Sequence, residues 1–224
     1  MNFLGTGAGA FVALVLFALP CAADQSGERA GTLSGSELVG ALQGGGYNVY
    51  FRHAATDWSQ HDDVRRSGDW TSCDPARIRQ LSDEGRASAE AVGEAMRALG
   101  IPVGRVLASP YCRTVETARL MALGEVETTT DIMNLRVAEY FGGREAIAER
   151  ARARFAARSM PGTNTILVAH GNVIRLATGV YPGEGECAVF RPLDGGGFEY
   201  VGGLRPEEWT RLAERLTGKA VAAP

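Results

Sequence analysis

Four basic side chains stand directly after short apolar segments of the chain. Arg52 and His53 follow one such segment, Arg113 belongs to a polar cluster after a second, and His170 follows a third. The planar fork of an arginine can hold two phosphate oxygens at once. A neutral imidazole can attack phosphorus when its other nitrogen is held by a hydrogen bond. If these four side chains meet, they form a pocket for a phosphate dianion.

The three apolar segments are predicted to be strands, because they are rich in β-branched and aromatic residues. They cover residues 47–51, 106–108 and 165–169, and helical patterns over residues 82–99, 111–123 and 144–158 alternate with them. This alternation predicts an α/β fold, a three-layer sandwich with a mostly parallel central sheet flanked by helices. In such sheets the loops at the carboxyl ends of the strands form the binding site.

Further elements complete the predicted fold. Ser34 and Glu37 have the spacing of a capping box for a helix that ends at Leu42, and Ser82 is a second candidate helix cap. Residues 126–137 are ambiguous between strand and loop. The last part of the chain is predicted to contain three elements. They are a helix from residue 172, a hairpin of strands 187–190 and 198–201, and a final helix over residues 206–216.

Residues 54–80 show no clear period and are predicted to form a long surface loop. Trp58 and Trp70 in this loop either line a lid over the substrate or only anchor the loop. His61, next to Asp62 and Asp63, is expected at the rim of the pocket.

Composition excludes several classes of protein. The 45% apolar and 22% charged residues are ordinary for a soluble globular protein. A net charge of −3 gives no sign of a nucleic-acid partner or of a membrane surface. The chain has three histidines and no C-x-x-C pattern, so we expect no metal and no cofactor. The oligomeric state cannot be read from the sequence.

The N-terminus predicts export. Met1 to Ala23 carry no charged side chain, and residues 11–19 form an apolar run of signal-peptide length that is too short to span a bilayer. We expect a signal peptide over residues 1–23, a leader over residues 24–34, and a single catalytic domain over residues 35–224. A buried N-terminal helix is the alternative. The mature protein is then periplasmic or secreted, without a stable membrane anchor.

Export also bears on the cysteines, because disulfides persist outside the cytoplasm. Cys73 in the long loop and Cys112 beside Arg113 are expected to cover the same end of the pocket, so we predict that they pair. Cys187 begins a late strand and is expected to be a buried free thiol. The alternative is three unpaired thiols.

Several segments together resemble the histidine phosphatase superfamily, which includes phosphoglycerate mutases and acid phosphatases. Phe51 to Thr56 is similar to the Arg-His-Gly signature of that family, and Ser109 to Ala118 to its Ser-Pro-x-x-Arg-x-x-x-Thr-Ala signature. Leu81 to Ala87 resembles the Leu-Ser-x-x-Gly segment between them, and Val168 to Gly171 the strand with the second histidine. The resemblance covers residues 46–180 and implies a phosphoglycerate mutase-like fold, here in an exported bacterial-type member.

The resemblance implies a role for each site residue. His53 is the phosphorylated nucleophile, Arg52 and Arg113 bind the phosphoryl oxygens, and His170 completes the pocket. The sequence departs from the family pattern at Ala54, where the signature has glycine. The added methyl is expected to cause modest crowding.

The general acid is less clearly marked. Glu139 stands four residues before Gly143, as a glutamate does in many family members, so it could protonate the leaving oxygen and then activate water. It could equally be a solvated loop carboxylate. Asp57, Glu116 and Glu184 are the rivals, and Glu116, one helical turn after Arg113, is expected to form a local ion pair.

Together these observations predict a metal-independent phosphomonoesterase that forms a covalent phosphohistidine on His53 and acts on a phosphorylated small molecule. A phosphotransferase or mutase is one alternative, and a module that binds a phosphorylated ligand with little turnover is another. The sequence does not identify the substrate.

Overall fold

The computed structural model describes residues 1–2 and 32–218. Six helices lie in this part of the chain: α1 (Gly35–Gly44), α2 (Asp83–Ala98), α3 (Cys112–Met121), α4 (Arg144–Ala156), α5 (Gly171–Thr178) and α6 (Pro206–Thr217). The strands are β1 (Asn48–Arg52), β2 (Val103–Ala108), β3 (Val126–Thr128), β4 (Asn164–Ala169), β5 (Cys187–Pro192) and β6 (Phe198–Leu204). Three short 3₁₀ helices cover Asp69–Thr71, Thr130–Ile132 and Leu135–Phe141.

The six strands form one sheet in the order β3-β2-β4-β1-β5-β6. Strands β3, β2, β4 and β1 run parallel, and the hairpin of β5 and β6 adds two antiparallel strands beside β1. Because β4 lies between β2 and β1, the carboxyl ends of these three strands are neighbours.

Helices cover both faces of the sheet, and the side chains of β1 show why. Val49 and Phe51 point into a core shared with α1, α2, α3 and α6, whereas Tyr50 points into a second core shared with α4 and α5. Alternate residues of a strand face opposite sides, and both sides of β1 are buried, so its sequence is almost continuously apolar.

The structure confirms the predicted α/β fold with a mostly parallel sheet flanked by helices. It also confirms Ser82 as a helix cap, since its hydroxyl accepts a hydrogen bond from the Gly85 amide at 3.1 Å. The capping box at Ser34 is wrong. Its side chain makes no capping bond. Gly35, the first residue of α1, has a φ of 51° rather than a helical value. Regular helical geometry therefore begins after Gly35, and the capping box does not form.

Apart from residues 1–2, the predicted signal peptide lies outside the described residues, as does the predicted leader apart from residues 32–34. Within the part of the chain that the structure describes, no helix combines the length and apolar character that crossing a membrane requires.

Candidate active site

The four side chains singled out from the sequence meet at the carboxyl edge of the sheet. Arg52 and His53 end β1, Arg113 lies in the first turn of α3 after β2, and His170 follows β4. All four line one cavity of about 340 Å³. The rings of His53 and His170 have their centroids 5.7 Å apart. The strand order therefore produces the predicted convergence.

His53 is held in the tautomer that a nucleophile needs. Its Nδ1 lies 3.0 Å from the carbonyl oxygen of Ala54, and a carbonyl oxygen can only accept a hydrogen bond. The proton is therefore on Nδ1, and Nε2 carries the lone pair. Burial, with the charge of Arg113 second, holds the pKa of His53 well below its usual value. The ring is thus neutral and ready to attack at physiological pH.

His170 is fixed by its backbone and by one ring nitrogen. The Tyr50 hydroxyl donates to the His170 carbonyl at 2.8 Å and accepts from the His170 amide at 2.9 Å. Nε2 of the ring lies 3.0 Å from Oγ of Ser109, while the buried Nδ1 has no partner. Burial is also the main cause that lowers the pKa of His170.

Arg113 is buried and oriented by Asp62. The carboxylate of Asp62 accepts from Nη1 at 2.8 Å and from Nη2 at 3.0 Å, and the Arg79 carbonyl accepts from Nη1 at 3.2 Å. Nε is buried and has no partner. A guanidinium has five N–H groups in one plane. One edge of Arg113, made of Nε and Nη2, is therefore left to hold two oxygens of a phosphoryl group.

Arg52 is oriented in the same way by Glu184. Nη2 of Arg52 donates to Glu184 at 3.2 Å, Nη1 donates to the Pro182 carbonyl at 3.3 Å, and the buried Nε has no partner. Glu184 also accepts from the amide and hydroxyl of Thr56 at 3.1 and 3.0 Å. Arg52 and Arg113 thus each have a carboxylate partner and a buried Nε–H without a partner.

Two further arginines line the cavity. Arg79 is half-buried, and burial, followed by the nearby charge of Arg113, lowers its pKa. Arg136 is exposed on the segment 135–141. Against these four arginines the cavity lining has one carboxylate, Asp62. The excess of positive charge suits a ligand with more than one negative charge.

The other carboxylates considered from the sequence do not line this cavity. Glu139 is exposed on the segment 135–141, and Asp57 faces a larger neighbouring groove, where Ser59 and Gln60 donate to it. The expected local ion pair of Glu116 with Arg113 is wrong, because Arg113 turns toward Asp62. Glu116 instead binds Arg86 of α2 at 2.7 Å.

Ala54 causes no backbone strain at the position where the family signature has glycine. Among the described residues other than glycine, a positive φ occurs at Ala122 and not at Ala54. The Ala54 side chain is buried, and its amide donates to the Thr117 hydroxyl at 3.1 Å. A glycine that this fold does require nearby is Gly85, because a Cβ there would lie 2.0 Å from the carbonyl oxygen of Ala55.

The long loop is fixed at two points. Cys73 and Cys112 form a disulfide with their Cα atoms 5.4 Å apart, which ties the loop to the first turn of α3, next to Arg113. Cys187 is a buried free thiol, as expected. Trp70 is buried against Tyr140 and Phe141, with ring centroids 5.5 and 5.2 Å away, so it anchors the loop. Trp58 is exposed and lines the cavity, and His61 lies at its rim.

Asp62 and Arg79 are among the site residues that sequence reasoning missed. Both lie in the loop without periodicity, among other charged residues of the same types. The one available signal for Arg79 was its position two residues before the Leu81-Ser82 segment. In the region that the structure describes, no group of three or more His, Cys, Asp or Glu side chains is placed to hold a metal ion.

A neutral, buried histidine beside two oriented arginines at the ends of parallel strands is the arrangement that phosphoryl transfer through histidine requires. The model of the histidine phosphatase superfamily, branch 1, matches residues 49–160, which is half of the chain, and the protein belongs to that family. The matched region contains Arg52, His53 and Arg113, and it ends before His170.

Solved structures of similar shape include the protein histidine phosphatase SixA in complex with tungstate. It shares 12% identity and a TM-score of 0.46, over 71% of this chain and 97% of that one. Another is a mycobacterial glucosyl-3-phosphoglycerate phosphatase with inorganic phosphate, with 16% identity and a TM-score of 0.48, over 72% and 98% of the two chains. No curated protein matches the sequence.

Proposed function

We propose that the protein is a metal-independent phosphomonoesterase that works through a phosphohistidine on His53. The observation that carries the proposal is the state of His53: a neutral ring whose Nδ1 is held by Ala54, with Nε2 left as the nucleophile in a cavity lined by arginines. The unpaired Nε–H groups of Arg52 and Arg113 supply donors for the phosphoryl oxygens. Phosphoryl transfer depends mainly on such positioning and electrostatic stabilisation.

The reaction has two steps. Nε2 of His53 forms a bond to phosphorus while the bond to the ester oxygen breaks, and that oxygen takes a proton from an acid. Water then attacks phosphorus, the P–N bond breaks, and the water gives a proton to the same group acting as a base. Arg52 and Arg113 hold the charge of the transferring group in both steps, and His170 completes the pocket. Glu139 is the proposed acid and base, although it lies outside the cavity lining, on the exposed segment 135–141. Asp62, the carboxylate that does line the cavity, accepts from Arg113 with both oxygens.

The positive charge of the cavity favours a phosphorylated substrate. Its volume of about 340 Å³ is near the lower limit for small-molecule sites, which favours a small molecule. Hydrolysis and transfer to an acceptor share the first step. A module that only binds the phosphorylated ligand would not carry out the first step. A free Nε2 on His53 favours turnover over binding alone, and we propose water as the acceptor in the second step.

We also propose that the protein works in the periplasm or outside the cell. The disulfide between Cys73 and Cys112 supports this location, because such bonds are rare in reducing compartments. Cell fractionation and N-terminal sequencing of the exported protein test it, and the expected mature N-terminus is Asp24.

Hydrolysis of p-nitrophenyl phosphate by the full chain tests the enzymatic proposal. We expect turnover that persists in EDTA and falls at least about 1000-fold in His53→Ala, since no other group takes over a removed nucleophile. Analysis of products with an added alcohol separates hydrolysis from transfer. Binding of inorganic phosphate without any turnover would instead identify a binding module.

A further inference from the structure

Two exposed aromatic side chains line the same cavity as His53 and His170. Trp58 is 68% exposed and Tyr181 is 56% exposed. The other two tryptophans are buried, Trp70 at 6% and Trp209 at 0%. A single exposed aromatic residue needs no explanation. Two exposed aromatic residues at the cavity that holds the proposed nucleophile do need an explanation, because they come from different loops, after β1 and after α5.

Each ring is held in place by arginine. The guanidinium carbon of Arg79 lies 3.9 Å from the centre of the Trp58 ring. Arg52 and Arg175 lie 5.5 and 5.3 Å from the centre of the Tyr181 ring. Arg52 and Arg79 also line the cavity. The rings are therefore fixed next to the charges that would bind the phosphoryl group.

The position of Tyr181 is defined further by Gly171. A Cβ on Gly171 would lie 2.7 Å from Cε2 of Tyr181 and 3.1 Å from Cδ of Arg52. Gly171 directly follows His170, so the absence of a side chain there lets Tyr181 pack against the backbone of the site. The ring thus lies within a few ångströms of the group proposed to bind the phosphoryl oxygens.

The charges around the rings indicate what they could bind. An arginine stacked on one face draws π-electron density toward itself, which weakens the attraction of the ring for a second cation. A flat, uncharged aromatic ring still gains from stacking on the exposed part of such a ring. The four arginines of the cavity lining also disfavour a cationic substituent.

The geometry points to a substrate class, and we propose that Trp58 and Tyr181 select phosphomonoesters whose leaving alcohol carries a planar aromatic ring, such as nucleoside 5′-phosphates. The phosphoryl group lies on the arginines and the ring stacks on Trp58, Tyr181 or both. Trp58 and Gln60 also line the larger adjoining groove, which leaves room for the rest of the leaving group. This inference rests on the proposed phosphomonoesterase function.

A matched pair of ligands tests the proposal in the His53→Ala variant, where binding is measured without turnover. Adenosine 5′-monophosphate and ribose 5-phosphate have the same phosphorylated alcohol carbon and differ by the base. Stacking of one base adds roughly tenfold or more to affinity. We expect adenosine monophosphate to bind at least about tenfold more tightly and to quench tryptophan fluorescence, because Trp58 is the exposed tryptophan.

Variants assign the preference to the two rings. In the His53→Ala background, Trp58→Ala should abolish the quenching, and Trp58→Ala with Tyr181→Ala should bring the ratio of the two affinities close to one. Trp58→Phe should keep part of the preference. Tyr200→Ala is the control and should leave the ratio unchanged, because Tyr200 is an exposed tyrosine on β6 that does not line the cavity.

Equal affinity for the two ligands, binding of neither, or a preference that survives loss of both rings would overturn the inference. Failure of the proposed function gives a different result. If the wild type hydrolyses neither ester but His53→Ala keeps the ring-dependent preference, the ring site stands and the phosphatase proposal fails. If the wild type hydrolyses both esters with equal kcat/KM, the phosphatase proposal stands and the ring site fails.

Discussion

Two histidines are kept neutral next to several arginines, and this defines the site at the scale of single residues. Burial holds the pKa values of His53 and His170 below their usual range, and the charge of Arg113 adds to the effect. A neutral His53 is a nucleophile, whereas a protonated one is not. The same neutrality lowers the stability of the folded protein at low pH, since the unfolded chain binds protons that the folded chain does not.

The stability of the protein is therefore expected to fall in acid through these histidines. Their folded pKa values lie below the unfolded value of about 6.5, so the stabilisation is complete above that pH and is lost as the pH falls toward the folded pKa. Between pH 7 and pH 5 each histidine can contribute a loss of no more than about 2 kcal/mol. Urea unfolding at the two pH values measures it. The pH effect should be smaller in His53→Asn than in the wild type, and an equal pH effect in both would contradict a neutral, buried His53.

Arg113→Lys tests whether the edge of the guanidinium made of Nε and Nη2, which Asp62 leaves open, binds the phosphoryl group. Lysine keeps the charge but cannot bind Asp62 and the phosphoryl group at the same time with a planar fork. We expect kcat/KM for p-nitrophenyl phosphate to fall roughly 100-fold, the effect of removing one oriented donor. Arg211→Lys, on the exposed part of α6, is the matched control. Wild-type kinetics in Arg113→Lys would place the phosphate site elsewhere.

Glu139→Gln tests the proposed acid through the leaving group. A nitrophenolate leaves with little protonation, whereas an alkoxide needs a proton from the acid. We expect Glu139→Gln to slow hydrolysis of glycerol phosphate at least about tenfold more than that of p-nitrophenyl phosphate. Equal losses on both esters, or none, would exclude Glu139 and direct attention to Asp57 or another carboxylate.

At the scale of elements, the long loop between β1 and α2 completes the site. It supplies Asp62, which orients Arg113, and Arg79, which lies under Trp58. The loop is joined to α3 by the Cys73–Cys112 disulfide and to the segment 135–141 by Trp70. These anchors place an irregular segment of the chain next to His53, the proposed nucleophile.

Loss of the disulfide should weaken both the fold and the site. In the chain-entropy model, a disulfide that closes a loop with a sequence separation of 39 stabilises the folded protein by roughly 4 kcal/mol. We expect Cys73→Ala with Cys112→Ala to lower the Tm and to reduce kcat/KM, because the loop that holds Asp62 loses one anchor. Dithiothreitol should lower the Tm of the wild type and leave that of the double variant unchanged. A reductant-insensitive wild type would show that the two thiols do not pair.

The elements differ in how far the sequence could predict them. The ends of β1, β2 and β4 were predictable because buried, β-branched and aromatic runs stop where Arg52, Ser109 and His170 begin. The partners of Arg113 and Arg52 were not predictable, since Asp62 and Glu184 reach them across 51 and 132 residues of sequence. Such contacts depend on how irregular segments fold back over the sheet, and no local pattern records them.

At the scale of the whole molecule, strand order explains why four residues far apart in sequence act together. Parallel pairing of β1 with β4, and of β4 with β2, brings their carboxyl ends side by side. Tyr50 on β1 binds the backbone of His170 after β4, which locks the two histidine-bearing strands in register. Helices on both faces bury the sheet, so this edge is where polar groups can be reached.

The central claim is that His53 carries the phosphoryl group, and trapping the intermediate tests it most directly. Rapid mixing of the wild type with a ³²P-labelled phosphomonoester, followed by alkaline quench and peptide mapping, should place acid-labile label on the peptide that contains His53. His170→Ala should slow labelling without moving it to another peptide, and His53→Ala should abolish it. Label on His61 or His170 of the wild type, or rapid turnover with no label on the protein, would contradict the proposed mechanism.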